Sequence, residues 1–436
     1  MSSSTAIKRS GMRPFLVIWT GQAFSLFGSQ LVQFALIWWL TSQTGSGTVL
    51  ATASLAGLLP QVILGPFIGP LIDRWNRRWT IMGADALVAL ATLVLAGLFA
   101  SGMVQIWQVY VIMFVRALAG SFHWPAMNAS MSLMVPEEHL SRVQGLNQIL
   151  NGGLNIVSAP LAALLLSIVP IQAILAIDFF TAVLAIIPLI FIVIPQPERS
   201  AVVPGEIAEG DLVGSYWTDL KAGLRYVWGW PGLVAILIMG MLINLTVNPA
   251  FALLPLLVRN YFQGDALDLA WLEATFGIGM ILGGLILGIW GGFRRRIVTT
   301  LVGLMTSGLA LLLLGLTPAS VFIMAIAATF IAGITIAMVN GPLQAVFQAT
   351  VEPEMQGRVF ALVASLASAM TPVGLIIAGP LSDRVGVQTW FLIAGVVMLL
   401  VGIVGFFIPA VMHIEDNGGH EEEALLDAVS APEYAN

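Results

Sequence analysis

The chain has 436 residues, of which 58% are hydrophobic and 9% charged, with a net charge of −6 and a mean hydropathy of +0.95. A soluble domain is nearer half apolar and a quarter charged, so this composition excludes a water-soluble globular protein and gives a polytopic membrane protein. The absence of Cys excludes disulfides and thiolate metal sites, and the 44 Gly suit helices that approach closely in lipid.

A helix needs about 20 mostly apolar residues to cross a bilayer. The chain supplies twelve such stretches: 15–40, 48–72, 79–101, 105–133, 143–168, 171–194, 231–258, 269–291, 297–316, 320–349, 359–380 and 389–411. The short alternating segments of a β-barrel do not occur. The polar, basic start is followed by an apolar segment too long for a signal peptide and without a small-residue cleavage site, which reads as a retained first span. The expected organisation is a cytoplasmic N-terminus (1–14), a six-helix bundle (15–194), a polar cytoplasmic linker (195–230), a second six-helix bundle (231–411) and an acidic cytoplasmic tail (412–436). His420 and Glu421 to Glu423 in that tail read as solvated residues, not as a metal site.

Charge sets the expected orientation. With the N-terminus inside, fourteen of the 17 Lys and Arg fall on the inner side, two (Arg259 and Arg384) on the outer side, and Arg116 lies within span four. This bias places both termini in the cytoplasm of a cell with the chain in its inner (plasma) membrane.

The two halves repeat at an offset of 217 residues. PFLV at 14–17 meets PGLV at 231–234, Pro125 meets Pro342, and Pro136-Glu137 meets Pro353-Glu354. A six-span unit repeated in one orientation is the pattern of two packed bundles with a substrate site near midplane.

The loop after span two concentrates charge. Gly69, Leu71, Asp73, Arg74, Asn76, Arg77 and Arg78 match, except at Asn76, the motif G-x-L-x-D-R-x-G-R-R/K. With the twelve spans and the repeat, this resembles the major facilitator superfamily over residues 14 to 411, and is most similar to its drug/proton antiporter branch, with macrolide-efflux and siderophore-export proteins. The resemblance implies an all-α membrane protein of twelve helices in two six-helix bundles. It also implies that Gly69, Asp73, Arg74, Arg77 and Arg78 form a cytoplasmic gate. A carboxylate at a helix end among guanidiniums makes charge-assisted hydrogen bonds, which can latch two bundles and break as they rock apart. Asn76 replaces the usual Gly and is the next-best residue for a left-handed turn. The second half keeps Gly288, Gly292 and Arg294 to Arg296 without the acid. A closer string, Gly379-Pro-Leu-Ser-Asp383-Arg384-Val-Gly386, falls on the expected outer side and reads as a helix-end turn, not a second gate. The family's fifth-helix antiporter motif is reduced to Ala159-Pro160-Leu161-Ala162-Ala163, with its glycines lost.

Ionisable groups at membrane depth face a cavity or a partner. Arg116 lies near midplane, and Arg116-x-x-x-Gly120 resembles the family's fourth-helix motif, which implies a part in proton coupling. His123, seven residues on, shares its face and titrates near neutral pH. Asp85 in span three and Asp178 in span six each lie roughly 10 Å inside their own face by helix rise, and either can neutralise Arg116 or carry a proton. Glu273 opens span eight as a helix-start carboxylate or an entry-side proton site. The expected proton-coupling set is therefore Arg116, Asp178, Asp85, His123 and Glu273.

Polar residues repeat on several spans. Asn147, Asn151 and Asn155 recur every four residues in span five, either meeting substrate and water or binding another helix. Span one offers Gln22 and Gln30 among Phe34 and Trp38, span seven Asn244 and Asn248, and span ten Asn340 and Gln344. The resemblance implies that spans one, four, seven and ten line the cavity. An aromatic, Met-rich wall with few fixed charges suits an amphiphilic ligand. No Walker motif, Ser/His/Asp arrangement or HExxH occurs, so no enzyme activity and no cofactor is expected. The expected function is proton-coupled efflux of amphiphilic drugs or secondary metabolites, by a monomer in the lipid bilayer that moves a small substrate and protons and binds no nucleic acid. The alternatives are a siderophore or lysolipid exporter, a small-nutrient importer, and a transport-dead receptor or scaffold.

Overall fold

The structure, a computed structural model, describes residues 12–196 and 224–416, without the side chains of Pro66, Pro70, Asp73, Glu137, Pro353 and Glu354. Most of the N-terminal segment, most of the linker and the acidic tail lie outside the described residues. The described residues contain twelve helices long and apolar enough to cross a membrane. They are α1 (Met12–Thr44), α2 (Gly47–Arg74), α3 (Arg77–Ala100), α4 (Ile106–Met134), α5 (Leu140–Ile168) and α6 (Ile171–Phe191). The second half has α7 (Pro231–Ala252), α8 (Ala266–Trp290), α9 (Arg296–Leu316) and α10 (Phe322–Thr350), then α11 in two segments (Pro353–Ser368 and Met370–Val385) and α12 (Val387–Phe407). All twelve expected spans fall on these helices.

Local chemistry sets where the helices end. Ser46 caps α2 by accepting from Val49 N. Gly45, Gly102 and Gly386 turn the chain at φ 58°, 68° and 91°, a region open to residues without a Cβ. The expected left-handed turn at Asn76 is corrected. Asn76 has φ −74° and ψ 109°, and it caps α3 by accepting from Arg78 N and Trp79 N. Asparagine serves here as a helix cap, a role that needs extended backbone.

The chain divides into two compact units. The first holds α1–α6 with Ala252–Ala274 and Leu375–Val387. The second holds α7 up to Phe251, Thr275–Gly374 and the chain from Gln388. In the first unit, α1 packs on α5 and α6, α3 on α4 and α6, and α2 on α4. Gly28 allows α1 to lie directly on α6: a Cβ there would run into Thr181 Oγ1 and come within 3.0 Å of Asp178 Cα. Phe15, Ile18, Ile72, Ile81, Met134 and Leu189 form a buried cluster toward the Arg77 end of this bundle. In the second unit α9 packs along α10.

The repeat survives as contacts. The helices α4 and α10 are each 29 residues long and carry Pro125 and Pro342 in their interiors. Arg77 at the start of α3 donates Nη1 to Ala129 O of α4 at 2.9 Å. Arg296 at the start of α9 donates Nη1 to Ala345 O of α10 at 3.5 Å. Each unit thus ties its third helix to its fourth by an arginine on a backbone carbonyl.

Candidate functional site

The first unit buries two polar clusters, each drawn from several helices. In one, Asp178 of α6 is fully buried and pairs with Arg116 of α4 at 2.5 Å. Asp178 also accepts from Ser29 Oγ of α1 at 3.0 Å and from Thr92 Oγ1 of α3 at 3.0 Å, and Arg116 Nη1 reaches Thr92 Oγ1. Four helices therefore meet on one carboxylate. A buried ion pair is tolerated only when hydrogen bonds satisfy its remaining lone pairs, and the two hydroxyls do this for Asp178.

In the other cluster, Asp85 of α3 accepts from Gln22 Nε2 of α1 at 2.7 Å and lies 3.3 Å from His123 Nε2 of α4. His123 Nε2 also lies 2.8 Å from Gln22 Oε1. Gln22 and Asp85 are buried, so the three side chains form a closed polar triangle. Arg116 and His123 share a helix face, yet about 10.5 Å of helix rise separates them. The structure gives each its own aspartate. Glu273, in the second turn of α8, belongs to neither cluster.

Beside the triangle lies a shallow recess, open to solvent and lined by α1, α4 and α5. Its walls are apolar and aromatic: Phe15, Trp19, Ala23, Leu26, Trp124, Met127, Met131 and Leu150. Its polar groups are Gln22, His123, Asn128, Asn147 and Asn151. Trp19 Nε1 donates to Asn147 Oδ1 at 2.7 Å and fixes the amide at the wall. Predominantly apolar walls with a few placed amides are the makeup of a small-molecule site. Gln22 and His123 belong both to the recess and to the Asp85 triangle.

Of the expected cavity residues, the structure brings Gln22, Asn147 and Asn151 to this recess. Asn155 is exposed outside it: a four-residue step overshoots a turn by about 40°, so two steps carry the stripe about 80° round the helix. Gln30, Phe34 and Trp38 of α1 also lie outside the recess. In the second unit, Asn248 Nδ2 donates to Asn244 Oδ1 and to Thr371 Oγ1, both at 2.8 Å, and Asn244 Nδ2 returns to Gly240 O. Asn340 and Gln344 are exposed on α10. Trp19, Asn128 and Met131 were missed from sequence. Their signal was helical spacing, Trp19 three residues before Gln22 and Asn128 and Met131 four residues after Trp124 and Met127, which becomes readable only once the inward faces are known.

The charged loop between α2 and α3 has a defined role inside the first unit. Arg77 is buried on Ala129 O, and Arg78 donates Nε to Leu189 O at 2.5 Å and Nη2 to Ile190 O at 2.6 Å, capping the C-terminal end of α6. Gly69 and Arg74 are exposed. The expected gate carboxylate, on Asp73, lies outside the described side chains.

Twelve spanning helices, a repeated arginine-to-carbonyl tie and a solvent-open recess beside buried charge define a membrane transporter. The fold is that of solved transporters: a POT family transporter in complex with 5-aminolevulinic acid (TM-score 0.67, 14% identity, covering 91% of this chain and 96% of that one) and the nucleoside transporter NupG (0.65, 13%, 89% and 98%). Residues 7–428 match the family model described as transmembrane secretion effector, and the chain belongs to this family of major facilitator transporters. It is 37% identical to macrolide efflux protein A of Streptococcus pyogenes over 89% of this chain and 94% of the relative. It is 35% identical to macrolide efflux protein A of Enterococcus faecalis over 76% and 100%. It is 27% identical to multidrug efflux pump Tap of Mycolicibacterium fortuitum over 92% and 97%. The chain is a multi-pass membrane protein of this family of transporters.

Proposed function

We propose that this transporter expels amphiphilic compounds, macrolides among them, in exchange for protons. The observation that carries the reading is the sharing of Gln22 and His123 between the recess and buried Asp85. A ligand in the recess that hydrogen-bonds Gln22 or His123 alters the groups that hold the Asp85 carboxylate. Conversely, a proton arriving on the Asp85–His123 pair changes the charge beside the ligand by one unit. Ligand and proton thereby bias the same conformational equilibrium, as exchange requires. The apolar and aromatic walls supply affinity for a large amphiphile, and the amides of Asn128, Asn147 and Asn151 give it polar contacts. The Arg116–Asp178 pair, whose carboxylate is fully buried, is assigned a fixed role, holding α1, α3, α4 and α6 together.

Transport proceeds by alternating access, with the arginine-bearing ends of α2 and α3 and both termini in the cytoplasm, as the charge distribution favours. The relatives named for macrolide efflux support the substrate class. The test is uptake of a labelled 14-membered macrolide into everted vesicles energised to acid inside. The reading predicts accumulation above empty vesicles that collapses with a protonophore. Accumulation indifferent to the protonophore would remove proton exchange, and none at all would remove the macrolide.

A further inference from the structure

At the end of the first unit remote from Arg77, the start of α2 is held by a carboxylate 335 residues away in sequence. Asp383 Oδ1 accepts from Gly47 N at 2.5 Å, and Oδ2 accepts from Thr48 N at 3.0 Å, Thr48 Oγ1 at 2.6 Å and Ser46 Oγ at 2.9 Å. Gly47 N and Thr48 N are among the first free N–H groups of a long helix, which carry the positive end of its dipole. The two helices touch backbone to backbone. A Cβ on Gly47 would lie 2.8 Å from Gly379 O, and a Cβ on Gly379 would lie 2.8 Å from Ala51 Cβ and 3.0 Å from Gly47 O. Nearby, Asn260 Nδ2 donates to Gly45 O at 2.8 Å.

The sequence of the clasp repeats that of the charged loop. Both α2 and α11 close on Gly-Pro-Leu-x-Asp-Arg, at 69–74 and 379–384. The second copy read as a helix-end turn, and Gly386 at φ 91° does turn the chain. A turn does not require four hydrogen bonds from another helix to one carboxylate.

We propose that Asp383 is a positioning residue of the transport cycle: a latch that closes the non-cytoplasmic end of the protein by capping α2, and that must release for substrate to leave. The energetics suit a latch. All four bonds converge on one charged group, so they form and break together. Charge-assisted bonds are roughly twice as strong as neutral ones, while water replaces them when the end opens. The glycine contact makes the closed state demanding in distance, so the latch engages only when α2 and α11 are in van der Waals contact. The inference rests on the alternating-access reading, and its distance measurement needs no substrate.

The chain's lack of Cys allows direct measurement. Spin labels on Gln43→Cys and Val385→Cys, at the ends of α1 and α11, report the separation of this end by pulsed electron resonance in lipid nanodiscs. The parent should show a short-distance population. Asp383→Ala should lower the ratio of short to long distances by at least about tenfold, the effect of losing one or more net hydrogen bonds. Arg384→Ala, the neighbouring charge outside the clasp, should leave the ratio unchanged. Gly379→Ala should open the end with the carboxylate intact, and it carries the test if Asp383→Ala does not fold. Superimposable distributions for the parent and for whichever of these two variants folds would overturn the latch, as would an equal shift from Arg384→Ala. A shift without any loss of protonophore-sensitive efflux would also overturn it, because release would then not belong to the cycle.

Discussion

Replacing Arg116 by Met leaves the Asp178 carboxylate fully buried with only Ser29 and Thr92 as donors. Removing one partner of a buried pair costs about 3–5 kcal/mol, because the other charge stays unpaired. Asp178→Asn strands the guanidinium and should cost a similar amount. The double variant Arg116→Met/Asp178→Asn buries no charge and keeps an amide for both hydroxyls, so its loss should be about 1 kcal/mol. For a bundle of roughly 200 residues each kcal/mol moves the melting midpoint about 2–4 °C. Each single variant should therefore fall by at least about 6 °C, and the double should recover most of it. The assay is the temperature at which the purified protein loses its monodisperse peak in detergent. Single variants within a degree of the parent, or a double that loses the sum of both, would refute the account of this pair. Transport adds a second arm. If the pair is fixed, the double variant keeps protonophore-sensitive efflux; if efflux disappears while stability returns, the pair carries the proton.

Two other expectations follow from the same geometry. Asn147→Leu removes the amide that Trp19 anchors in the recess, and macrolide affinity by equilibrium binding should fall about five- to tenfold, the worth of one lost hydrogen bond; unchanged affinity would take the ligand out of this recess. Arg78→Ala deletes two charge-assisted bonds onto the end of α6, each worth about 1.5–3 kcal/mol. The melting midpoint should drop, while the efflux rate per folded molecule holds; a rate that collapses at full stability would give Arg78 a moving part.

Spans were legible in sequence because hydropathy is a local property: any run of about 20 apolar residues must cross, whatever it packs against. The repeat was legible because Pro125 and Pro342 keep their places. Partners were less so. Asp85 and Asp178 were equal candidates for Arg116, since the choice depends on the rotation of α3 and α6 about their axes. The structure pairs Arg116 with Asp178 and leaves Asp85 to Gln22 and His123, and nothing local in the sequence marks the choice. The carbonyl partners of Arg77, Arg78 and Arg296 are unreadable in principle, because a backbone oxygen has no letter. Asp383 read as a turn because two of its donors are backbone N–H groups, silent in sequence for the same reason, and the other two are hydroxyls of residues 335 or more positions away. The Asn147, Asn151, Asn155 stripe overreached by one residue through the 40° drift of each step.

The central claim is that proton and ligand meet at Gln22, His123 and Asp85. The most direct measurement follows the pH gradient of everted vesicles as a macrolide is added, for the parent and for Asp85→Asn, with ligand binding measured in parallel. The account predicts that macrolide collapses the gradient in the parent and not in Asp85→Asn, while the variant still binds the macrolide within about threefold of the parent, since Asn keeps an acceptor for Gln22. A variant that binds and still exchanges protons at the parental rate would contradict it.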